Sequence, residues 1–158
     1  RTDADTAKCL VENLMQRLRF SNTDTKRTAR LVWSFLLDPP VANGQDCRVW
    51  LNRVGPDLFN DICRMWIAAA RVNQGDRVNE VENTLYLIRF IRKLLKDKPP
   101  LTLRELAVNG NDLQKLGVPP GPSIGRILEE LLVAVLKSPE LNTHAGLMEI
   151  VKEMGNKN

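Results

Sequence analysis

Residues 101–142 read LTLRELAVNGNDLQKLGVPPGPSIGRILEELLVAVLKSPELN, and the order of breaks and apolar positions in this stretch decides the fold. Asn109-Gly110-Asn111 predicts a turn, with Asn111 placed to cap a short helix over Asp112 to Leu116. Gly117 follows where a left-handed residue commonly closes a helix. Pro119-Pro120-Gly121 stiffens the connection, and Pro122 suits the first position of a second helix that runs to Lys137. Ile124, Ile127, Leu128, Leu131, Leu132 and Val135 recur at helical spacing and supply its buried face. Gly125, one turn in, is expected to let the two helices approach closely.

Outward from this stretch the same period continues. A short piece covers Leu103 to Ala107, and a last helix runs from about Asn142-Thr143 to Met154. Upstream, Ala4 to Leu18 carries Ala7, Leu10, Val11, Leu14 and Leu18 as one apolar stripe, with Asp3 or Asp5 as its cap. A helix begins after Ser21-Asn22-Thr23-Asp24 and stops at Asp38-Pro39-Pro40, because the residue before a proline disfavours the helical conformation. Asp46 to Val54 and Asp57 to Val72 are separated by Gly55-Pro56, and the second of them carries Leu58, Ile62, Met65, Trp66 and Ala69 on its apolar face. A loop at Asn73-Gln74-Gly75-Asp76 precedes a long helix from Arg77 towards Asp97, with Val81, Leu85, Ile88, Ile91 and Leu95 inward. Strand-like alternation is absent. The expected fold is therefore all-α, a bundle or superhelical array of about seven to nine helices with no β-sheet. Lys98-Pro99-Pro100 is the most linker-like point and divides a helical body, 1–97, from a helical tail, 98–158.

The bulk properties narrow the class. Apolar residues make up 43% of the 158, too many for a disordered tail. No apolar run approaches the ~20 residues of a membrane span, and no secretory signal opens the chain. The chain starts at Arg1 on what already reads as a helix, so it is expected to be a fragment of a larger, cytoplasmic parent. Its net charge of +4 is concentrated: Arg89, Arg92, Lys93, Lys96 and Lys98 against the single acid Asp97 also sum to +4. Cys9, Cys47 and Cys63 form no C-x-x-C pair and His144 is the only histidine, which argues against zinc and for three buried, reduced thiols. Trp33 and Trp66 fall within apolar stripes and are expected in the core, whereas Trp50 and Tyr86 are candidates for base stacking, Tyr86 beside the basic face.

Two readings of the glycine-rich turn compete on spacing alone. It is either a tight connection between packed helices or a phosphate-holding bend, whose amides at a helix N-terminus favour an anion while Gly117, Gly121 and Gly125 leave the approach open. A resemblance bears on the choice. The pattern N-G-x-D-L-x-x-x-G-x-x-x-G-x-x-I-G-x-x-L-x-x-L-L, carried by Asn109, Gly110, Asp112, Leu113, Gly117, Gly121, Ile124, Gly125, Leu128, Leu131 and Leu132 and followed by Pro139 to Asn142, resembles the carboxy-terminal signature of bacterial tRNA nucleotidyltransferases of the poly(A) polymerase family, the CCA-adding enzymes. The segment from Arg89-Phe90-Ile91-Arg92-Lys93-Leu94-Leu95 to Leu106, and more loosely Arg17 to Asn22, are similar too.

The resemblance implies a helical body and tail that clamp the acceptor stem and elbow of tRNA, with catalysis, ATP, CTP and magnesium belonging to a head domain of the parent and no cofactor in this part. The chain itself would then not be an enzyme, although its parent would. Its implied RNA-binding residues are Asn109, Gly110, Asp112, Lys115, Gly117, Gly121, Ser123, Gly125 and Arg126, joined by Arg89, Arg92, Lys93, Lys96 and Lys98. Asp3-x-Asp5 lacks the Gly-Gly and Arg-Asp surroundings of the family's metal-binding aspartates and reads as a helix cap. Phe35 stands about where a histidine–aspartate phosphohydrolase would carry a histidine, so a degenerate module of that type, or a plain protein-interaction domain, is the alternative.

Overall fold

Prolines, glycines and capping residues cut this chain into helices too short to be stable alone, so the fold is a matter of how their ends are closed and their apolar faces paired. The structure is a computed structural model that describes residues 3–72 and 78–155. Among these residues there are eight α-helices, three short 3-10 turns and no strand. The expected loop at 73–76 and the start of the long helix at Arg77 lie outside the described residues. In chain order the helices are α1 (Ala4–Arg17), α2 (Asn22–Leu36), α3 (Gly44–Val54), α4 (Phe59–Val72), α5 (Val78–Lys96), α6 (Gly110–Lys115), α7 (Pro122–Lys137) and α8 (His144–Gly155). None is long and apolar enough to cross a membrane.

Contacts divide the chain into two compact units, Arg1–Ala42 with Arg53–Lys93, and Asn43–Asn52 with Leu94–Asn158. The sequence placed its division at Lys98-Pro99-Pro100 and had no means of assigning 43–52 to the second part.

In the first unit α1 packs chiefly against α2. Ser21 caps α2 by accepting a hydrogen bond from the Asp24 amide at 3.0 Å. Ala7, Ala29, Val54, Leu58, Phe59, Ile62, Cys63, Trp66, Ile88 and Ile91 are this unit's buried apolar residues. Arg30 ties α2 down by donating to the Val54 carbonyl from Nε at 3.1 Å and from Nη2 at 2.9 Å, and it also pairs with Asp57. Arg27 pairs with Asp61. Trp33 is half-buried rather than a core residue: its indole donates to Asp5 at 2.9 Å, and the Arg53 guanidinium lies 5.0 Å from its ring centroid. Asp3, at the N-cap of α1, makes no side-chain cap bond. The apolar stripe on α1 is mostly uncovered. Ala7 is buried, but Leu10, Leu14 and Leu18 are 60%, 53% and 60% exposed, because a helix with one close neighbour buries only one side.

In the second unit Cys47, Trp50, Leu51, Leu101, Leu106, Val108, Leu113, Leu131, Leu132, Val135, Leu136, Leu147 and Val151 are buried. Trp50 is thus a core residue, not a stacking platform. Arg48 of α3 donates from Nε to the Leu136 carbonyl at 2.7 Å and from Nη2 to the Lys137 carbonyl at 2.9 Å. These carbonyls end α7 and have no partner within the helix, and a cation is favoured at that pole of the backbone dipoles. Asn52 donates to the Leu101 carbonyl at 2.7 Å. These bonds hold 43–52 to this unit. Of the three thiols, none of them in a disulfide, Cys47 and Cys63 are buried, whereas Cys9 is exposed, contrary to expectation. Burial pushes the Cys47 thiol up to about 11 and raises that of Cys63 as well, so both stay protonated.

Arg48→Ala should destabilise the protein by roughly 1.5–3 kcal/mol, the usual worth of hydrogen bonds made by a charged group, and Arg48→Lys should recover only part of it. Urea denaturation of the three proteins measures this; a loss within error for Arg48→Ala would remove the capping role.

Candidate nucleic-acid interface

The bend between α6 and α7 is built almost entirely by backbone chemistry. Asn109 is the N-cap of α6: its side chain accepts from the amides of Asn111 at 2.9 Å and Asp112 at 3.4 Å. Asp112 answers by accepting from the Asn109 amide at 3.1 Å, which completes a reciprocal capping box. The cap expected at Asn111 is therefore at Asn109, whose amide receives the returning bond from Asp112. At the other end the Gly117 amide bonds the Gln114 carbonyl at 2.9 Å and the Val118 amide bonds the Leu113 carbonyl at 3.2 Å. That is the Schellman closure, and it needs the positive φ of +89° that Gly117 supplies.

Pro119-Pro120 carries the chain across to Gly121, whose φ of +141° again favours glycine, and Pro122 opens α7. Gly121 is the N-cap of α7 and offers no side chain to its first-turn amides. The Ser123 hydroxyl donates to the Pro119 carbonyl at 3.3 Å, and the Ile124 amide bonds the Gly121 carbonyl at 3.2 Å. Close approach of the two helices occurs at Gly110, where an added Cβ would stand 3.2 Å from Cγ2 of Ile124. Contrary to the expectation from the sequence, it does not occur at Gly125: a Cβ added there, or at Gly117 or Gly121, meets nothing within 4 Å. These last three glycines line an open, exposed bend.

Two further devices hold the bend's support. Glu105 accepts from the amides of Leu101 at 2.9 Å and Thr102 at 2.8 Å. Asn142, last residue of the P-E-L-N segment, accepts from the Ala107 amide and donates to the Glu105 carbonyl, both at 2.9 Å. It thereby clamps a segment more than thirty residues away, and sequence reasoning registered it only as part of a pattern. Thr143 starts α8, its hydroxyl accepting from the Gly146 amide at 3.1 Å. His144 is exposed beside it.

The expected site residues separate by role. Asn109 and Asp112 are capping residues, and Gly110 is a packing residue. Lys115 pairs with Asp112 at 3.3 Å but is 76% exposed, so the pair is weak and the ammonium stays accessible to a stronger anion. Arg126 is exposed on α7. Arg89, Arg92 and Lys93, all exposed on α5, belong to the first unit, while the exposed Lys96 and Lys98 fall in the second. Lys98 takes a positive φ of +47° just beyond the end of α5.

Among the described residues the protein is thus an all-helical one whose glycine-turned helix pair is open to solvent. Over residues 4–151 the sequence matches the family described as tRNA nucleotidyltransferase domain 2, putative, and the chain belongs to that family. It is 25% identical over 126 residues to an A-adding tRNA nucleotidyltransferase of Deinococcus radiodurans. That match covers 79% of this chain but only 29% of the relative, so the chain spans less than a third of that protein's length. No solved structure matches.

Desolvation acts on Glu105 to raise its pKa, but the bonds from Leu101 and Thr102 outweigh it and hold the carboxyl below its usual value of 4.5. The Asn109 amide, aided by Lys115, holds Asp112 below 3.8. A carboxyl with a lowered folded-state pKa contributes stability above its ordinary value and loses it as pH falls through the lower one. Glu105→Gln and Asp112→Asn should therefore destabilise the chain at pH 7 and flatten its stability profile below about pH 4.5. Urea midpoints between pH 7 and pH 2.5 measure both effects; profiles parallel to that of the parent chain would contradict the assignment.

Proposed function

We propose that this chain is a tRNA-holding part of a nucleotidyltransferase, and that the bend from Gly117 to Arg126 grips the RNA backbone while a separate catalytic head of the same parent protein, with its ATP, CTP and magnesium, extends the 3′ end. The supporting observation is the open space around Gly117, Gly121 and Gly125 at the uncapped start of α7. A phosphate can approach main-chain amides there without meeting a side chain, and backbone dipoles favour the anion. Lys115 and Arg126 lie on the helices either side of the bend and supply screening-sensitive attraction. Contacts of this kind fix an RNA by shape and charge without reading its sequence, which suits a protein that must accept every tRNA. Family membership and the A-adding relative support tRNA as the RNA concerned.

One observation favours a protein-contacting role as well. Leu10, Leu14 and Leu18 on α1 and the following Phe20, 51% exposed, form an apolar stripe of the sort that marks an interaction surface. It is compatible with RNA binding elsewhere, since another domain of the parent protein would cover it.

Binding of whole tRNA, measured by gel shift, should weaken roughly 100- to 500-fold between 50 and 200 mM salt if about five phosphates are engaged. Lys115→Glu and Arg126→Glu should weaken whole-tRNA binding more than binding of an acceptor-stem minihelix. Gly125→Ala separates stability from function: at an exposed helical position it should stabilise the chain by about 0.5–1 kcal/mol, yet weaken tRNA binding by obstructing the amides. Negligible retention of tRNA at low salt, or unchanged affinity in Gly125→Ala, would contradict the proposal.

A further inference from the structure

Tyr86 is 60% exposed on α5, which leaves most of its ring in water. The other aromatic side chains are more enclosed or belong to another surface, Phe35 and Phe90 being half-buried. Phe59, Trp50 and Trp66 are buried, Trp33 is held between Asp5 and Arg53, and Phe20 continues the apolar stripe of α1. Tyr86 belongs to no such stripe. Its neighbours three and seven residues on are Arg89 and Lys93, both exposed and in the same unit, and at these spacings they share its helix face. Glu82, one turn before it, is the acid at the opposite end of this stripe. The face thus runs from acid to aromatic ring to cations.

We infer that this face of α5 takes a short stretch of unpaired RNA, with a base stacked on Tyr86 and the adjoining phosphates on Arg89 and Lys93. The inference rests on the RNA-binding reading above and names a second contact that the glycine bend does not supply. The seven residues from Tyr86 to Lys93 span roughly 10 Å along the helix at about 1.5 Å each. That reach covers a few nucleotides of an unpaired strand. Duplex RNA hides its base faces in the stack, so an exposed ring beside cations selects unpaired nucleotides, whatever their sequence. Glu82 repels phosphate, and so sets the direction in which the strand leaves the ring.

The test uses a fluorescent RNA hairpin whose two strands are joined by a non-nucleotide linker, so that no loop base is unpaired, either blunt or with a three-nucleotide single-stranded extension at either end; anisotropy is read with the whole chain and its Tyr86→Ala and Tyr86→Phe variants. The parent chain and Tyr86→Phe should bind an extended hairpin more tightly than the blunt one. Tyr86→Ala should lose about 5- to 150-fold on the extended hairpin, the worth of one stacked base, and nothing on the blunt one. If the parent chain binds blunt and extended hairpins alike, or Tyr86→Ala binds the extended one as tightly as the parent, the stacking site is overturned while RNA binding stands. If the parent chain binds neither RNA nor tRNA at low salt, the RNA-binding reading itself falls, and this one with it.

Discussion

Each helix leaves four amides and four carbonyls without internal partners, so a chain cut into many short helices faces that demand repeatedly. This constraint organises the second unit. Arg48 closes the carbonyl end of α7, the Asn109–Asp112 box closes the start of α6, Gly117 closes its finish, and Glu105 and Asn142 satisfy the turn that precedes it. Apolar burial around Leu113, Leu131 and Leu147 supplies most of the driving force, but burial is non-directional. The directional bonds decide which way each short helix points, and hence where the α6–α7 bend faces.

The same accounting separates two kinds of residue within one sequence pattern. Amides at Asn109, Asn111 and Asp112 are already satisfied inside the protein, so they have little to offer a ligand. The start of α7 differs, because glycine at its N-cap brings no oxygen to the first-turn amides. A pattern that looks uniform in one dimension therefore divides into scaffold before Gly117 and accessible backbone after it. Proposed RNA contacts follow that division, with the exposed face of α5 forming a separate surface on the other unit.

Much of the helical layout was legible because apolar residues recur at the helical period and because proline and glycine mark the breaks. Pro122 and Gly117 stand where their backbone preferences place them. The Asn109-x-x-Asp112 spacing is a known start signal, yet reading Asn109-Gly110-Asn111 as a turn moved the cap to Asn111. Which glycine lets α6 and α7 meet was not readable: contact at Gly110 and open space at Gly125 depend on how the helices cross. Periodicity showed that Leu10, Leu14 and Leu18 share a face but could not say what covers it. Arg48 and Asn142 act over long separations and carry no local signal beyond being polar.

The central claim, that tRNA is held on exposed backbone at the start of α7, is tested most directly by hydrogen exchange across residues 116–126 with and without tRNA. Exchange at Gly121 and Ser123 is expected to slow markedly when tRNA is added at low salt, and to recover as salt is raised. Unchanged exchange in this segment, with slowing confined to other parts of a chain that does bind tRNA, would contradict the account.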